Sequence, residues 1–339
     1  MSVSFGYRRR LCATGHHATL LKGSTPPLPV WAALPSVPWS RLSGDAMPDS
    51  PQFSRLEESS VQPHQYTQEK GAPLGSSAYY ALLRAPASQR RALTALFALW
   101  REFEETVQQT SDTAVGNVKL AWWQRELLTM RSGQPSHPVA VELHGAIEPA
   151  RLAEVVESFE GIADGFAMDL AQARYLDWPG LRQYVNKVGG GFSAIVAAQA
   201  KGGEADREWA FDAGNALLLA EIVRDIGDDA RRGRIYVPIS EMQQFNVTAA
   251  DIINRRYSDH FTALMRFQLG RAREDLRRAL SKAPRATLKR QPVLRAQIAI
   301  ALALLDEIEG EQFQVLHQRI ALTPVRKLWV AYRATRFGF

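Results

Sequence analysis

From Tyr66 onward the apolar side chains recur every three or four positions, and the pattern persists almost to the end of the chain. Such spacing gathers them on one face of a helix. Ser76 or Ser77 can cap a first helix carrying Tyr79, Tyr80, Leu82 and Leu83, and Pro86 ends it. Ser88 to Gln109 forms the next, with Leu93, Leu96, Phe97, Trp100 and Phe103 on its apolar face. Asp112 to Arg131 follows, and Gly133, Pro135 and Pro138 make a break. Val139 to Ile147, Leu152 to Phe159 and Ile162 to Ala173 read as separate helices. Leu181 to Ala200 is helical in spite of Gly189-Gly190-Gly191, small residues that let a neighbour or a ligand come close. Trp209 to Asp229 is the central helix. Phe261 to Lys282 directs Leu264, Phe267, Leu269, Ala272, Leu276 and Leu280 to the core. Pro292 to Ile308 is almost wholly apolar and should be buried, and Arg326 to Thr335 closes the chain. No run alternates with a period of two between turns, so no sheet is predicted. Residues 63–339 read as one all-α domain without a repeat or a linker.

Residues 1–62 lack this pattern. Pro26, Pro27, Pro29, Pro35 and Pro38 break any helix. The segment is free of acids up to Asp45, which fits an Arg-containing targeting peptide. Its apolar pieces, Leu20-Leu21 and Val30 to Leu34, form neither a signal core nor an amphipathic helix. A loose extension ahead of a true start at Met47 is the favoured reading.

The most informative stretch runs from Asn215 to Pro238. Leu217, Leu218, Leu219, Ala220, Ile222, Val223 and Ile226 cover the whole circumference of a helix, so that helix is buried. Yet Glu221, Asp225 and Asp229 recur every four residues along one face, with Asp228 beside them. Stacked carboxylates on a buried helix repel one another unless a cation meets them. Magnesium takes carboxylate oxygen and commonly carries substrate phosphate. Arg224, Arg231, Arg232 and Arg234 follow within two turns. Acid for metal beside base for phosphate points to a metal–diphosphate site. The competing reading is a helix end laced by its own ion pairs, such as Arg224 with Asp228. A second acidic group should face the first, and Arg101 to Gln108 is the candidate, with Glu104 and Gln108 on one face and Arg101 a turn ahead. Here the competing reading is an exposed face with an Arg101–Glu105 pair.

Composition narrows the picture. With 46% apolar and 22% charged residues the chain is ordinary for a globular protein. No apolar run reaches the ~20 residues that span a bilayer. The net charge of +6 does not indicate nucleic acid, because Arg8, Arg9, Arg10, Lys22 and Arg41 all lie in the acid-free residues 1–43. The single cysteine, Cys12, allows no internal disulfide and is compatible with a cytoplasmic setting. The histidines show no zinc-ligand spacing.

Arg224 to Pro238, RDIGDDARRGRIYVP, resembles the second aspartate-rich motif of the squalene/phytoene synthase family. Gly75-Ser76-Ser77 is similar to its N-terminal serine motif, and Ala92 to Arg101 to the helix bearing its first acidic motif. Lys119 to Leu127, Met168-Asp169-Leu170 with Arg174-Tyr175, Tyr184 with Val188-Gly189-Gly190, Leu304 to Ile308 and Arg319 to Lys327 extend the match over nearly all of residues 66–335. The resemblance implies an isoprenoid synthase fold, a helical bundle around a central cavity. It implies a prenyltransferase that joins two farnesyl or geranylgeranyl diphosphates head to head, giving a presqualene diphosphate, squalene or phytoene-type product. Mg²⁺, with Mn²⁺ as an alternative, would draw diphosphate from one substrate, and NADPH would be needed if squalene were made. Glu104, Glu105, Asp225, Asp228 and Asp229 would hold metal. Asp225, Asp229, Glu104 and Tyr184 would be catalytic. Ser76, Ser77, Arg101, Arg224, Arg234 and Tyr236 would bind substrate. Transient contact with a membrane surface would suit so oily a product. The chain departs from the family where the first motif reads Glu-Glu-Thr-Val-Gln rather than having Asp at its first and fifth places. It departs also at Leu218, Glu221, Ala301 and Ala78. These changes keep open an alternative: a non-catalytic relative that binds a prenyl lipid or a partner protein.

Overall fold

The computed structural model describes residues 62–110, 112–172 and 174–337. The extension read over residues 1–62, with Met47 and Cys12, lies outside them except for Gln62. Among the described residues there are fifteen α-helices and one π turn, and the only β pairing is an isolated parallel bridge between Arg174 and Ile235. The helices are α1 (Pro63–Gly71), α2 (Ser77–Leu82), α3 (Ala87–Gln108), α4 (Thr113–Arg131), α5 (Pro138–Ala146), α6 (Pro149–Ala171), α7 (Trp178–Val185) and α8 (Gly191–Gln199). They continue with α9 (Glu204–Arg231), α10 (Ile239–Gln244), α11 (Ala249–Ile253), α12 (Asp259–Lys282), α13 (Arg285–Arg290), α14 (Pro292–Gly310) and α15 (Pro324–Arg336).

Local chemistry sets the ends. Ser76 is the cap of α2, accepting a hydrogen bond from the Tyr79 amide at 3.0 Å. Asp112 caps α4, Ser258 caps α12 and Thr323 caps α15 in the same way. Two expectations change. The region 149–171 is one continuous helix, not two, because Gly161 has open space around it and nothing forces a break. Phe267 on α12 is 40% exposed and does not join the core. It packs instead against Phe245, with ring centroids 5.3 Å apart and the rings tilted by 40°.

The architecture is built around α9. It packs against α8, the π turn (Asn186–Gly190), α12 and α14. The closest approach needs two glycines. A Cβ on Gly214 would stand 2.2 Å from the carbonyl oxygen of Gly189 and 2.4 Å from the Ser193 hydroxyl. The glycine triplet therefore admits a neighbouring helix backbone, and the wide π turn accommodates the junction of α7 and α8. At the N-terminal end of α9 the fully buried Asp206 carboxylate accepts hydrogen bonds from the Arg290 guanidinium at 2.7 and 2.8 Å and from the Thr287 hydroxyl at 2.5 Å. That network ties α9 to α13. Gly214→Ala is expected to push α9 from the π turn and lower stability by about 1–3 kcal/mol, read as a shift in a urea midpoint. An unchanged midpoint would show that the two backbones are not in contact.

Candidate active site

A cavity of about 470 Å³ opens between α2, α3, α9, α14 and the segment leading into α15. Its two ends differ. Phe97, Trp100, Phe192, Leu217, Leu218, Ile300, Leu304, Ile320 and Leu322 make an oily wall. Phe97 meets Phe192 edge-on at 5.0 Å, and Trp100 lies 5.6 Å from the same ring. The other end holds five cations, Arg101, Arg224, Arg232, Arg319 and Lys327, and four carboxylates, Glu104, Glu221, Asp225 and Asp228. Ser76 and Ser77 stand at its edge. A second cleft, about 1020 Å³, lies among α7, α9 and α12. Its lining is charged as well, with five cations and four carboxylates, and Arg271 pairs with Glu241 and Arg278 with Glu274 and Asp275. The acids singled out in the sequence, Glu104, Asp225 and Asp228, line the first cavity instead.

The helix geometry of α3 and α9 brings the acids together. Glu104 projects from α3 beside Arg101, to which it is ion-paired. The Gln108 amide, one turn on, donates to Glu104 at 3.1 Å and accepts from the Arg232 guanidinium at 3.0 Å. Gln108 thus bridges the two helices. Asp225 on α9 takes both Arg224, at 2.7 and 2.5 Å, and Arg319, at 2.7 and 3.3 Å. Asp228 pairs with Arg231 and lies 3.8 Å from Arg319. The ion pairs expected under the competing readings, Arg224–Asp228 and Arg101–Glu105, are replaced by these.

The electrostatics are lopsided. Burial would raise the Asp225 carboxyl, but Arg224 and Arg319 outweigh it and hold it at about 2. Burial raises Glu104 to about 7, with Arg101 opposing and Glu221 and Asp225 adding to the rise. Burial and then Asp225 push Asp229 up to about 8 in spite of Arg232. No side chain among the described residues donates a hydrogen bond to Asp229. Lys327, which donates to the Gly75 carbonyl at 2.8 Å, is lowered by burial and by Arg224 and Arg319 nearby. Two buried polar atoms in the lining, Trp100 Nε1 and Gln297 Oε1, have no hydrogen-bond partner among the described residues.

Several expected site residues lie elsewhere. Asp229 is buried and does not line the cavity. Glu105 turns from the cavity to Lys70 on α1, 2.8 Å away. Arg234 is not a free clamp. Its guanidinium donates to the Asp169 carbonyl at 2.5 Å and the Val107 carbonyl at 3.3 Å, and lies 3.2 Å from the Asp169 carboxylate. Tyr236 donates to Asp169 at 2.7 Å and stacks on Tyr184 with centroids 5.5 Å apart. Both rings are buried outside the cavity lining, and burial pushes both hydroxyls well above their ordinary value. These three residues form a buttress that joins α6, α7 and the end of α3 to the loop after α9. Conversely, Arg319 and Lys327 line the cavity, although the sequence marked them only as parts of a motif, and Arg232, one of the bases expected beside the acids, lines it too.

The donor set suits Mg²⁺. Hard carboxylate oxygens from two helices face one space, and both Glu104 in that lining and Asp229, buried within reach of its charges, hold their protons far too tightly for acids at ease. A divalent cation relieves that repulsion. Among the described residues no group of three acidic, cysteine or histidine side chains is placed to hold a metal ion by itself, so a cation here would have to complete its shell with water and phosphate.

Comparison with known proteins settles the family. The profile described as Squalene/phytoene synthase matches residues 73–326. The chain belongs to the squalene/phytoene synthase family. A phytoene synthase from Arthrospira platensis is 31% identical over 261 residues, spanning 72% of this chain and 82% of the relative. A 15-cis-phytoene synthase from Synechocystis sp. is 30% identical over 266 residues, spanning 74% and 77%. The fold is that of isoprenoid synthases. A dehydrosqualene synthase crystallised with ligand superposes with TM-score 0.64 at 18% identity, over 81% of this chain and 98% of that one. A squalene synthase from Alicyclobacillus acidocaldarius gives TM-score 0.62 at 21% identity, over 74% and 93%. The squalene/phytoene synthases are prenyltransferases, and their class of reaction is head-to-head joining of prenyl diphosphates.

The raised carboxyls fix a sign. Folded Glu104 and Asp229 bind protons that the unfolded chain releases near pH 4. The metal-free protein should therefore lose stability as pH rises from about 4 through about 8, and Mg²⁺ should restore it at the upper end by displacing those protons. Thermal unfolding with and without Mg²⁺ on either side of this window tests it. Equal stabilisation by Mg²⁺ at low and high pH would contradict the assignment.

Proposed function

We propose that the protein is a Mg²⁺-dependent phytoene-type synthase that joins two prenyl diphosphates head to head with loss of diphosphate. The observation that carries this reading is the two-ended cavity, with an aromatic and aliphatic wall at one end and paired arginines and carboxylates at the other. Glu104, Asp225 and Asp228 would hold the metal, with the buried Asp229 close behind them. When bound, Mg²⁺ supplies charge that makes diphosphate a better leaving group.

The rest falls to the chain's own side chains. Arg101, Arg224, Arg232, Arg319 and Lys327 surround the departing diphosphate, and guanidinium groups suit bidentate contact with phosphate oxygen. For Arg224 and Arg319 this means sharing themselves between Asp225 and the ligand. Ser76 spends its oxygen on the cap of α2, so its hydroxyl proton remains available to a phosphate. Trp100, Phe97 and Phe192 exclude water from the allylic cation left behind and offer it aromatic faces. Gln108, at the fifth place of the first acidic motif, contributes a neutral oxygen and orients Glu104 and Arg232. This leaves the first motif one carboxylate short, with Glu221 supplying a further negative charge on the facing helix. The non-catalytic alternative gains no support, because charged side chains from both helices still line the cavity.

The choice of a phytoene-type product rests on the relatives at about 30% identity, which are phytoene synthases. Purified protein given geranylgeranyl diphosphate and Mg²⁺ is expected to release diphosphate and form a hydrocarbon without NADPH, and EDTA should stop it. Farnesyl diphosphate in parallel tests chain length. Asp225→Asn is expected to cut turnover by at least about 100-fold with unchanged helicity by circular dichroism. No diphosphate release from either substrate would refute the reading.

A further inference from the structure

Residues 311–323, which join α14 to α15, carry part of the cavity wall, for Arg319, Ile320, Ala321 and Leu322 line it. The segment has no helix or strand of its own. It leaves α14 through two consecutive left-handed residues, Gln312 at φ 52° and Phe313 at φ 59°. Neither is glycine, so this turn is strained and persists because its surroundings hold it. Phe313, Val315 and Leu316 are buried. On one side the backbone of the segment lies directly on α9. A Cβ on Gly227 would stand 2.4 Å from the Val315 carbonyl oxygen and 2.7 Å from that of Leu316. Gly227 falls between Asp225 and Asp228, so the contact is made within the acidic turn of α9.

The other side is held from outside the cavity. Tyr257 belongs to the loop between α11 and α12 and does not line the cavity. Its hydroxyl oxygen accepts from the Leu316 amide at 2.9 Å and from the His317 amide at 3.3 Å. Two accepted bonds engage both lone pairs of that oxygen. The ring itself is fixed. It meets Phe261, fully buried in the first turn of α12, edge-on at 5.5 Å, and stacks on His317 at 5.3 Å. Beside it Ser258 caps α12, accepting from the Phe261 amide at 3.1 Å, and α12 packs along α9. Two residues beyond His317 stands Arg319, whose guanidinium reaches Asp225 at 2.7 and 3.3 Å.

We propose that Tyr257 is a positioning residue for diphosphate: by fixing the amides of Leu316 and His317 it sets Arg319 at the charged end of the cavity. A long, half-exposed arginine has many rotamers, so its aim depends on a backbone that does not move beneath it. Without the hydroxyl the segment keeps its apolar contacts, but Arg319 loses its fixed origin. This role rests on the charged end being a diphosphate site, as proposed above.

Binding of inorganic diphosphate with Mg²⁺ to the full chain is measured by isothermal titration calorimetry, which needs no turnover. Tyr257→Phe keeps the ring and removes only the hydroxyl, and is expected to weaken binding at least about fivefold. Arg319→Gln should weaken it at least about tenfold. The double variant should bind within about twofold of Arg319→Gln alone, because a residue that acts through Arg319 then has nothing to act on. A tyrosine with a merely structural role would lower affinity equally with and without Arg319. Hydrogen exchange gives a second reading that the parent alone provides. The Leu316 and His317 amides should be protected in the parent, and should exchange faster in Tyr257→Phe while α12 is unchanged. Full affinity in Tyr257→Phe or in Arg319→Gln, additive losses in the double variant, or unprotected amides in the parent would overturn the proposal and leave the diphosphate site standing. No binding by the parent would overturn both together.

Discussion

Carboxylates crowded together in a dry cavity repel, and this structure is arranged around holding them there. Glu104 on α3 and Asp225 and Asp228 on α9 occupy one end of a space whose other end is aromatic and aliphatic, with the buried Asp229 close behind them. Arginines answer part of the repulsion: Arg224 and Arg319 clasp Asp225, and Arg101 clasps Glu104. The part left over appears as tightly held protons on Glu104 and Asp229. An enclosure with unspent affinity for a cation is what a metal–diphosphate leaving group requires, and it forms before any ligand arrives.

Much of the remaining fold serves to keep α9 in place. Its all-round apolar surface meets α8, α12 and α14, and Gly214 lets the π turn come close enough to seal one side. Behind the acids, Asp169, Arg234, Tyr236 and Tyr184 form a hydrogen-bonded, stacked buttress. It fixes the loop after α9 against the backbone of α3 at Val107. Arg234 therefore acts on the site by locating the two acidic helices.

The sequence made the long helices legible because their apolar residues recur at helical spacing, and side-chain caps such as Ser76, Asp112, Ser258 and Thr323 mark some of the starts. Its four-residue spacing of Glu221, Asp225 and Asp229 also showed that the acids share a face. Direction along that face was harder to read. Glu105 and Glu104 are neighbours in sequence, yet Lys70 on α1 draws one outward while Arg101 holds the other at the cavity. Arg234 looked like its neighbours Arg231 and Arg232, and only the fold reveals the carbonyls of Asp169 and Val107 that engage it. Arg319 could not be placed at Asp225, ninety-four positions away, until the chain closed between α14 and α15. A hint existed in the acid-free run after Glu311, whose cations lack local partners. The break expected between Phe159 and Ile162 failed for the opposite reason: a glycine facing open space leaves a helix intact.

The most direct test of the convergence of α3 and α9 is anomalous diffraction from crystals grown with Mn²⁺ and a thiodiphosphate analogue that cannot ionise. The account predicts manganese peaks between Glu104 and the Asp225–Asp229 face, with diphosphate oxygens completing the shell and reaching Arg319. Manganese absent from that space, or held there by neither helix, would contradict it.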